Sequence, residues 1–381
     1  MQHRVGVIMN GVSGREGTHQ HLIGSILAIR AQGGVPLANG DSIMPDPILV
    51  GRNASKLEDL AKRHGLERFT TDLDAVLGDP AYEVFFDSSL TGLRPEMVRR
   101  AIGAGKALYV EKPTAATTAE AVALYREATA RGLKNGVVQD KVLYPGLQKL
   151  KYLIDTGFFG DIVSVRGDFG YWIFDGFHWP TQRTSWNHRV ADGGGMILDM
   201  YPHWSYVIGD LFGDISSTFT TATTCTKRRV DEHGQPYDCD ADDTAYSQFR
   251  LENGMVIPWQ SSWAVRVHRR DLLAIQVDGT RGSAVAGMYD CHTQSDAQTP
   301  RPIWCPDISP VIDHLGSWAK MPDRRSYGNA NRQQWELFLK HVVIDSPFPW
   351  NLLVGAKGVQ LAERSLQSAR ERRWVDLDRL A

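Results

Sequence analysis

With 381 residues, 23% of them charged, and a formal net charge of −2 at pH 7, the chain is long enough for two cores. It lacks the basic excess that nucleic acid or an anionic membrane selects in a partner. Hydrophobic residues make up 42%, yet no apolar stretch approaches the roughly 20 residues of a membrane span. A cytoplasmic globular protein is expected.

Residues 5–9 (Val-Gly-Val-Ile-Met) predict a buried strand, too close to the initiator and too short for a signal peptide. A Gly-rich turn follows, then a helix carrying Leu22, Ile23, Ile26, Leu27 and Ile29. A Gly/Pro-rich connection over 33–47 leads to a second strand at 48–50. The helix at 55–64 has Leu57, Leu60 and Ala61 on one face. Strands at 83–86, 107–110 and 136–139 alternate with helices at 95–104 and 118–131. This alternation predicts βαβ units and a parallel, doubly wound sheet.

After Tyr144-Pro145-Gly146 the pattern changes. A helix at 147–154 precedes period-two stretches at 162–169, 244–251, 255–259 and 272–277, which predict a largely antiparallel sheet with one polar or ligand-facing side. Helices at 333–343 and 352–369 close the chain. The expected division is residues 1–143 and 144–381, with a ligand in the crevice between the two domains. The four cysteines (Cys225, Cys239, Cys291, Cys305) form no C-x-x-C pair and fit free thiols of a reducing compartment. Cys291 and His292 adjoin, but neighbours on a strand point to opposite faces, so no metal site is expected.

Directly after the first strand comes Asn10-Gly11-Val12-Ser13-Gly14-Arg15-Glu16-Gly17. The spacing is G-x-x-G-x-x-G rather than the G-x-G-x-x-G of most dinucleotide loops. Glycines let a backbone turn tightly against a pyrophosphate, and a helix start offers N–H groups and a positive dipole end. Gly11, Ser13, Gly14, Arg15 and Gly17 are therefore candidates for cofactor contact, a purely structural turn being the alternative. An NAD site usually places an acid at the end of the second strand to hold the ribose. Here Val50-Gly51-Arg52-Asn53 has none. A guanidinium pairs bidentately with a 2′-phosphate, so Arg52 and Asn53 favour NADP, while Arg52 stacking on adenine keeps NAD open. Ser88 and Thr91, after the strand at 83–86, either touch the cofactor or cap their loop.

Two clusters carry chemistry. Glu111-Lys112-Pro113 lies at the carboxyl end of the strand at 107–110, where open α/β sheets bind ligands. Gly193-Gly194-Gly195-Met196-Ile197-Leu198-Asp199-Met200-Tyr201-Pro202-His203 is the second. On a helix, Asp199 and His203 share a face about 6 Å apart along the axis, although Pro202 tends to kink it. A lysine, an aspartate and a histidine over a nicotinamide suffice for alcohol oxidation. Alone, Lys112 equally suits a solvated surface and His203 a satisfied helix position. Tyr171, Trp172, Phe174, Phe177, His178, Trp179 and Trp186, with Asn187 and Arg189 nearby, suit the C–H faces and hydroxyls of a sugar, or else an aromatic core edge. Asp140 and Lys141, after the strand at 136–139, are further polar candidates for substrate or nicotinamide.

With these motifs in place, the chain resembles the Gfo/Idh/MocA family (glucose–fructose oxidoreductase, inositol dehydrogenase, rhizopine catabolism) over nearly its whole length. The resemblance rests on E-K-P, on G-G-G-x-x-x-D-x-x-x-H about ninety residues later, and on the two-domain pattern. It implies an α/β chain with an N-terminal Rossmann doubly wound parallel sheet and a C-terminal α+β domain holding a large, mostly antiparallel sheet. It also implies an NAD(P)-dependent oxidoreductase moving a hydride to or from a hydroxyl-bearing carbon of a sugar, glycoside or cyclitol. In that reading Glu111 and Lys112 lie at the cofactor, Lys112 stabilises the reacting oxygen, His203 is the general base, and Asp199 orients it or binds substrate. The ammonium and the imidazole must then converge beside one nicotinamide. Relatives often form homo-oligomers, dimers or tetramers, through the C-terminal sheet. Two other readings are an enzyme with tightly held cofactor that uses transient oxidation for glycoside cleavage or epimerisation, and a dinucleotide-sensing regulator. The complete Lys/Asp/His set counts against the regulator.

Overall fold

A computed structural model describes residues 1–172, 184–301, 307 and 312–380. Phe174, Phe177, His178, Trp179 and Cys305 lie outside the described residues. The chain divides into two compact units. The first comprises Met1–Leu143, Gly328–Gln360 and Arg379–Ala381; the second comprises Tyr144–Tyr327 and Leu361–Asp378. The cut at Leu143/Tyr144 falls where the sequence pattern changes, but the expected assignment of all later residues to one domain needs correction. Residues 328–360 return to the first unit because the helix Ala330–Ile344 is apolar where it meets that unit's sheet. Trp335, Phe338 and Leu339 are fully buried, and Gln334 accepts from Gln139 N–H and donates to the Val137 carbonyl.

The strands of the first unit are β1 (Gln2–Asn10), β2 (Val35–Pro36), β3 (Ser42–Val50), β4 (Phe69–Thr70), β5 (Tyr82–Asp87), β6 (Ala107–Val110) and β7 (Asn135–Val137). The path across the sheet is β2-β3-β1-β5-β6-β7, with β4 also on β3. Only β2 runs antiparallel to its neighbour. The chain therefore steps to one side of β1 and then, at β5, to the other. Such a reversal opens a crevice at the carboxyl ends of the strands. The core is built from fully buried residues of every central strand, among them Ile8, Phe85, Leu108 and Val110, with Val98 and Leu124 from the covering helices.

Two local features differ from expectation. β3 is nine residues long and begins inside the segment read as a Gly/Pro connection. Pro45 and Pro47 are tolerated because odd-numbered residues of β3 direct their N–H away from β1. Leu49 and Gly51 show this by donating to the Arg68 and Thr70 carbonyls. Among the described residues that outer side has no strand partner at 45 and 47, so no ladder bond is lost. The helix after the glycine loop is wound as a π-helix over Gly17–Leu27 before an α-helical turn at Ala28–Ala31. A Cβ on Gly24 would lie 2.9 Å from the His19 carbonyl oxygen, and Ser25 Oγ donates to the Gln20 carbonyl at 2.7 Å. The glycine leaves room for that carbonyl and the serine bond joins residues five apart, both in keeping with the wide i→i+5 turn, which recurs at functional sites.

In the second unit β8 (Ile162–Gly170), β9 (Ile215–Thr223), β12 (Thr244–Leu251), β13 (Val256–Ser262), β14 (Leu273–Gly279), β15 (Gly282–Ala286), β16 (Cys291–Ser295), β17 (Ala319–Lys320) and β18 (Val375–Asp376) make one sheet. Its order is β17-β16-β15-β14-β8-β13-β12-β9-β18. The remaining strands, β10 (Arg228–Val230) and β11 (Pro236–Asp238), pair only with each other among the described residues. All neighbours in the large sheet are antiparallel except β8 and β13. The helix Met196–Phe212 lies on its buried face. Trp204 donates to Ser261 at 3.0 Å, and Tyr201 and Ser247 share a hydrogen bond at 2.6 Å. On the opposite face Tyr246, Gln248, Arg250, Val256 and Pro258 are exposed, as the period-two alternation of β12 and β13 dictates.

Candidate active site

The glycine loop sits at the switch point of the first sheet. Gly11 has φ +77°, and a Cβ there would come within 2.7 Å of Ser89 N. At Gly17 a Cβ would meet Ser88 Oγ at 2.6 Å and Val12 Cα at 2.8 Å. These two glycines let the loop after β1 close against the loop after β5. Ser88 fastens the contact, its N–H and Oγ both donating to the Asn10 carbonyl, at 3.0 and 3.2 Å. Gly14 is different. A Cβ there would touch nothing closer than Gly11 O at 3.6 Å, so the protein itself does not require glycine. A phosphate approaching the backbone does. Ser13, Gly14 and Arg15 are exposed around it, and this cradle fits a dinucleotide's pyrophosphate.

At the end of β3, Asn53 accepts from Lys56 N–H at 3.0 Å and so caps the helix Ala54–Arg63. Arg52 is exposed and, among the described residues, has no hydrogen bond or ion pair. Thr91 is half-buried in the loop after β5.

The E-K-P segment, with a cis Lys112–Pro113 bond, is anchored from beneath. Glu111 is buried, and its carboxylate turns into the protein rather than toward solvent. Oε1 lies 2.6 Å from His21 Nε2, and Oε2 accepts from Lys112 N–H at 2.9 Å. Burial raises its carboxyl, but the His21 hydrogen bond and the Lys112 and Arg94 charges outweigh that and hold it below the usual range. A second anchor is the Asp87–Arg94 pair, 3.1 Å apart with side chains 0% and 4% exposed. Asp87 also accepts from Asn10 Nδ2 at 2.7 Å and Ser89 Oγ at 2.8 Å. Arg94 in turn donates to the Ser89 and Pro113 carbonyls. One ion pair thus ties together the loops after β1, β5 and β6. Asp140, in the turn Asp140–Leu143, is buried and paired with Lys141 at 3.2 Å.

In the second unit Asp199 and His203 lie one turn apart on the helix Met196–Phe212, which runs through Pro202 without ending. His203 is 5% exposed, and its Nδ1 lies 2.7 Å from the Tyr206 hydroxyl. In the sequence Tyr206 is legible only as the residue three positions on, on the same face. The glycines before the helix have two tasks. Gly193 and Gly195 take φ +77° and +130°, and a Cβ on Gly194 would lie 2.4 Å from the Trp186 carbonyl. The Asn187 carbonyl accepts from Gly195 N–H at 2.9 Å, while its buried side chain donates to the Thr184 carbonyl at 3.2 Å. Trp186 is exposed. Trp172 stacks beneath the Arg266 guanidinium, 4.0 Å from its ring centroid. His178 is outside the described residues.

Asp242 caps this helix from 46 residues beyond its first residue, Met196. Its carboxylate accepts from Ile197 N–H at 2.8 Å, and its carbonyl from Met196 N–H at 2.8 Å. Burial pushes the carboxyl up to about 6. A raised acid holds its proton more tightly in the folded chain, so the stability it contributes is present at low pH and lost as pH rises from about 4 through 6. Asp242→Asn keeps the acceptor without the charge. Its stability relative to the wild type is expected to rise between pH 4 and 7, by up to about 3 kcal/mol. Urea midpoints at the two pH values measure this; a difference that shrinks would show that the carboxylate stabilises the helix start.

Among the described residues no group of three His, Cys, Asp or Glu could hold a metal, and no helix is long and apolar enough to cross a membrane. Cys225, Cys239 and Cys291 are free thiols.

Comparison with known proteins agrees with this architecture. The profile of the oxidoreductase family with NAD-binding Rossmann fold matches residues 48–138, and that of the GFO/IDH/MocA C-terminal domain matches residues 147–285. The chain is 46% identical over 377 residues to the D-xylose dehydrogenase of Paenarthrobacter nicotinovorans, spanning 98% of this chain and 97% of that protein. It is 22% identical over 358 residues to the levoglucosan dehydrogenase of Pseudarthrobacter phenanthrenivorans, spanning 88% of this chain and 90% of that one. The solved structure of a levoglucosan dehydrogenase in complex with NADH and levoglucosan matches the fold over the full length of both chains, with a TM-score of 0.80 at 21% identity. The chain therefore belongs to the Gfo/Idh/MocA family of oxidoreductases.

Proposed function

We propose that the protein is a nicotinamide-dependent sugar dehydrogenase, with a pentose of the D-xylose type as its preferred substrate. The observation that carries this is the 46% identity, over 98% of the chain, to a D-xylose dehydrogenase, together with an intact Lys112, Asp199 and His203. In this reading Lys112 donates a hydrogen bond to the reacting hydroxyl oxygen and stabilises its developing negative charge. His203 takes the hydroxyl proton. Because Tyr206 engages Nδ1, the accepting atom is Nε2. Asp199, one turn before it, holds a substrate hydroxyl or the imidazole in place. The bound cofactor supplies the hydride acceptor. The test is a panel of D-xylose, levoglucosan and inositols with both nicotinamides, followed by reduced-cofactor absorbance. Highest turnover on the pentose is expected, and no turnover on any sugar would remove the proposal.

Gly11, Ser13, Gly14, Arg15 and Gly17 hold the pyrophosphate, with Ser88 and Thr91 beside them. Arg52, with no acid at the end of β3, supports NADP over NAD. Arg52→Ala should weaken NADP binding about 10- to 100-fold, the worth of a charge-assisted pair, and leave NAD nearly unchanged. Equal losses in fluorescence titrations would show that Arg52 does not read the 2′-phosphate. Trp172, Trp186 and Asn187, with Asp140 and Lys141, are assigned to the sugar side. The exposed face of β12 and β13, with Tyr246, Val256 and Pro258 among polar neighbours, is assigned to a homo-oligomer contact. Light scattering at micromolar concentration should give a dimer or tetramer, and a monomer would exclude it.

A further inference from the structure

Beneath the E-K-P segment lies a chain of three buried groups that the proposed reaction does not itself use. His21, on the π-helix, is fully buried, as are Trp335 and, nearly, Glu111. Trp335 Nε1 donates to His21 Nδ1 at 3.0 Å, and His21 Nε2 lies 2.6 Å from Glu111 Oε1. The direction of both bonds follows from chemistry alone. An indole N–H only donates, so His21 Nδ1 must accept. The ring proton then sits on Nε2, and Glu111 must accept it as a carboxylate. The other carboxylate oxygen takes Lys112 N–H at 2.9 Å. Trp335 therefore fixes the tautomer of His21, His21 fixes Glu111, and Glu111 fixes the backbone of the lysine.

The same histidine belongs to the helix that opens at the glycine loop. Phe86 packs against its ring in a tilted contact at 4.4 Å between centroids, on the face of the imidazole rather than at its nitrogens. We infer that His21 is a positioning residue that ties the cofactor-binding helix to Lys112 through Glu111. This rests on the assignment of Lys112 to the reacting oxygen. A link of this kind sets where the ammonium sits without touching the substrate, so its loss moves kcat rather than cofactor or sugar KM.

The experiment compares His21→Leu with His21→Gln by steady-state kinetics per folded molecule. Leucine fills the volume without hydrogen bonds, whereas glutamine restores an N–H toward Glu111. His21→Leu should lower kcat about 10- to 100-fold, the scale of a catalytic group displaced by about 1 Å. Both KM values should stay within about threefold and His21→Gln should recover most of the rate. A purely structural histidine would lower the melting temperature and leave kcat per folded molecule alone, which overturns the inference; so does an equal loss in both variants. If His21→Leu fails to fold, Glu111→Gln reports on the same link, because an amide has one acceptor oxygen and cannot serve both His21 and Lys112 N–H. Wild-type kcat in Glu111→Gln overturns it. Lys112→Met separates the two readings: an inactive lysine variant beside a fully active His21→Leu rejects only this inference, and an active lysine variant rejects the role of Lys112 itself.

Discussion

Lys112→Met is expected to lower turnover about 10³-fold, and His203→Ala by about 10²- to 10⁴-fold, without unfolding the protein. Methionine keeps the length and apolar stem of lysine and deletes only the ammonium. Lys112 is half-buried, and the backbone of its segment is held by the Glu111 carboxylate and the Arg94 guanidinium. The loss should therefore appear in kcat, with substrate KM changing little, because charge on the reacting oxygen develops only toward the transition state. His203→Ala removes the proton acceptor together with the hydrogen bond between Nδ1 and the Tyr206 hydroxyl. The double variant should be little worse than the poorer single one, since groups that act as a unit are not additive. Steady-state rates at saturating sugar and cofactor check this. Wild-type-like rates in both single variants would remove the mechanism.

The largest effect on stability is expected at Arg94. Arg94→Ala leaves the Asp87 carboxylate in a fully buried position with Asn10 and Ser89 as its only hydrogen-bond partners among the described residues, and withdraws the donors to the Ser89 and Pro113 carbonyls. Breaking a buried pair by removing one member costs about 3–5 kcal/mol, because the remaining charge is uncompensated. A urea titration should show a loss of that size. Activity should fall further than stability requires, since Arg94 holds the loops on both sides of Lys112. A loss below about 1 kcal/mol would show that the pair is not what joins the three loops.

Where contacts are local, residue order alone is informative. The glycine loop, the strand preceding it, the E-K-P turn and the i, i+4 placement of Asp199 and His203 are dictated by turn chemistry and helix periodicity, so they are legible in the chain itself. The alternation in β12 likewise sets which side chains face the core. Family membership also follows from these motifs, because they combine residue type with fixed spacing.

What cannot be read from the chain depends on distant partners. Pro45 and Pro47 argue locally against a strand; β3 admits them only because it turns both missing N–H groups to an unpaired edge. The π-winding of Gly17–Leu27 buries Gly17, His21, Leu22, Ser25 and Ile26, and because only Leu22 and Ile26 of these are strongly apolar, hydrophobic periodicity does not announce it. His21, Asp87, Arg94 and Asp242 carry no local signal. Each acquires its role from a partner such as Glu111, Pro113 or Ile197, brought near by the sheet or by a capping turn. The sequence by itself determined the chemistry available and the local geometry of its bearers, because propensity and spacing act over a few residues. Tertiary structure decided which groups hold those bearers in place, because a buried charge or hydrogen bond is settled only when its partner arrives from elsewhere in the chain.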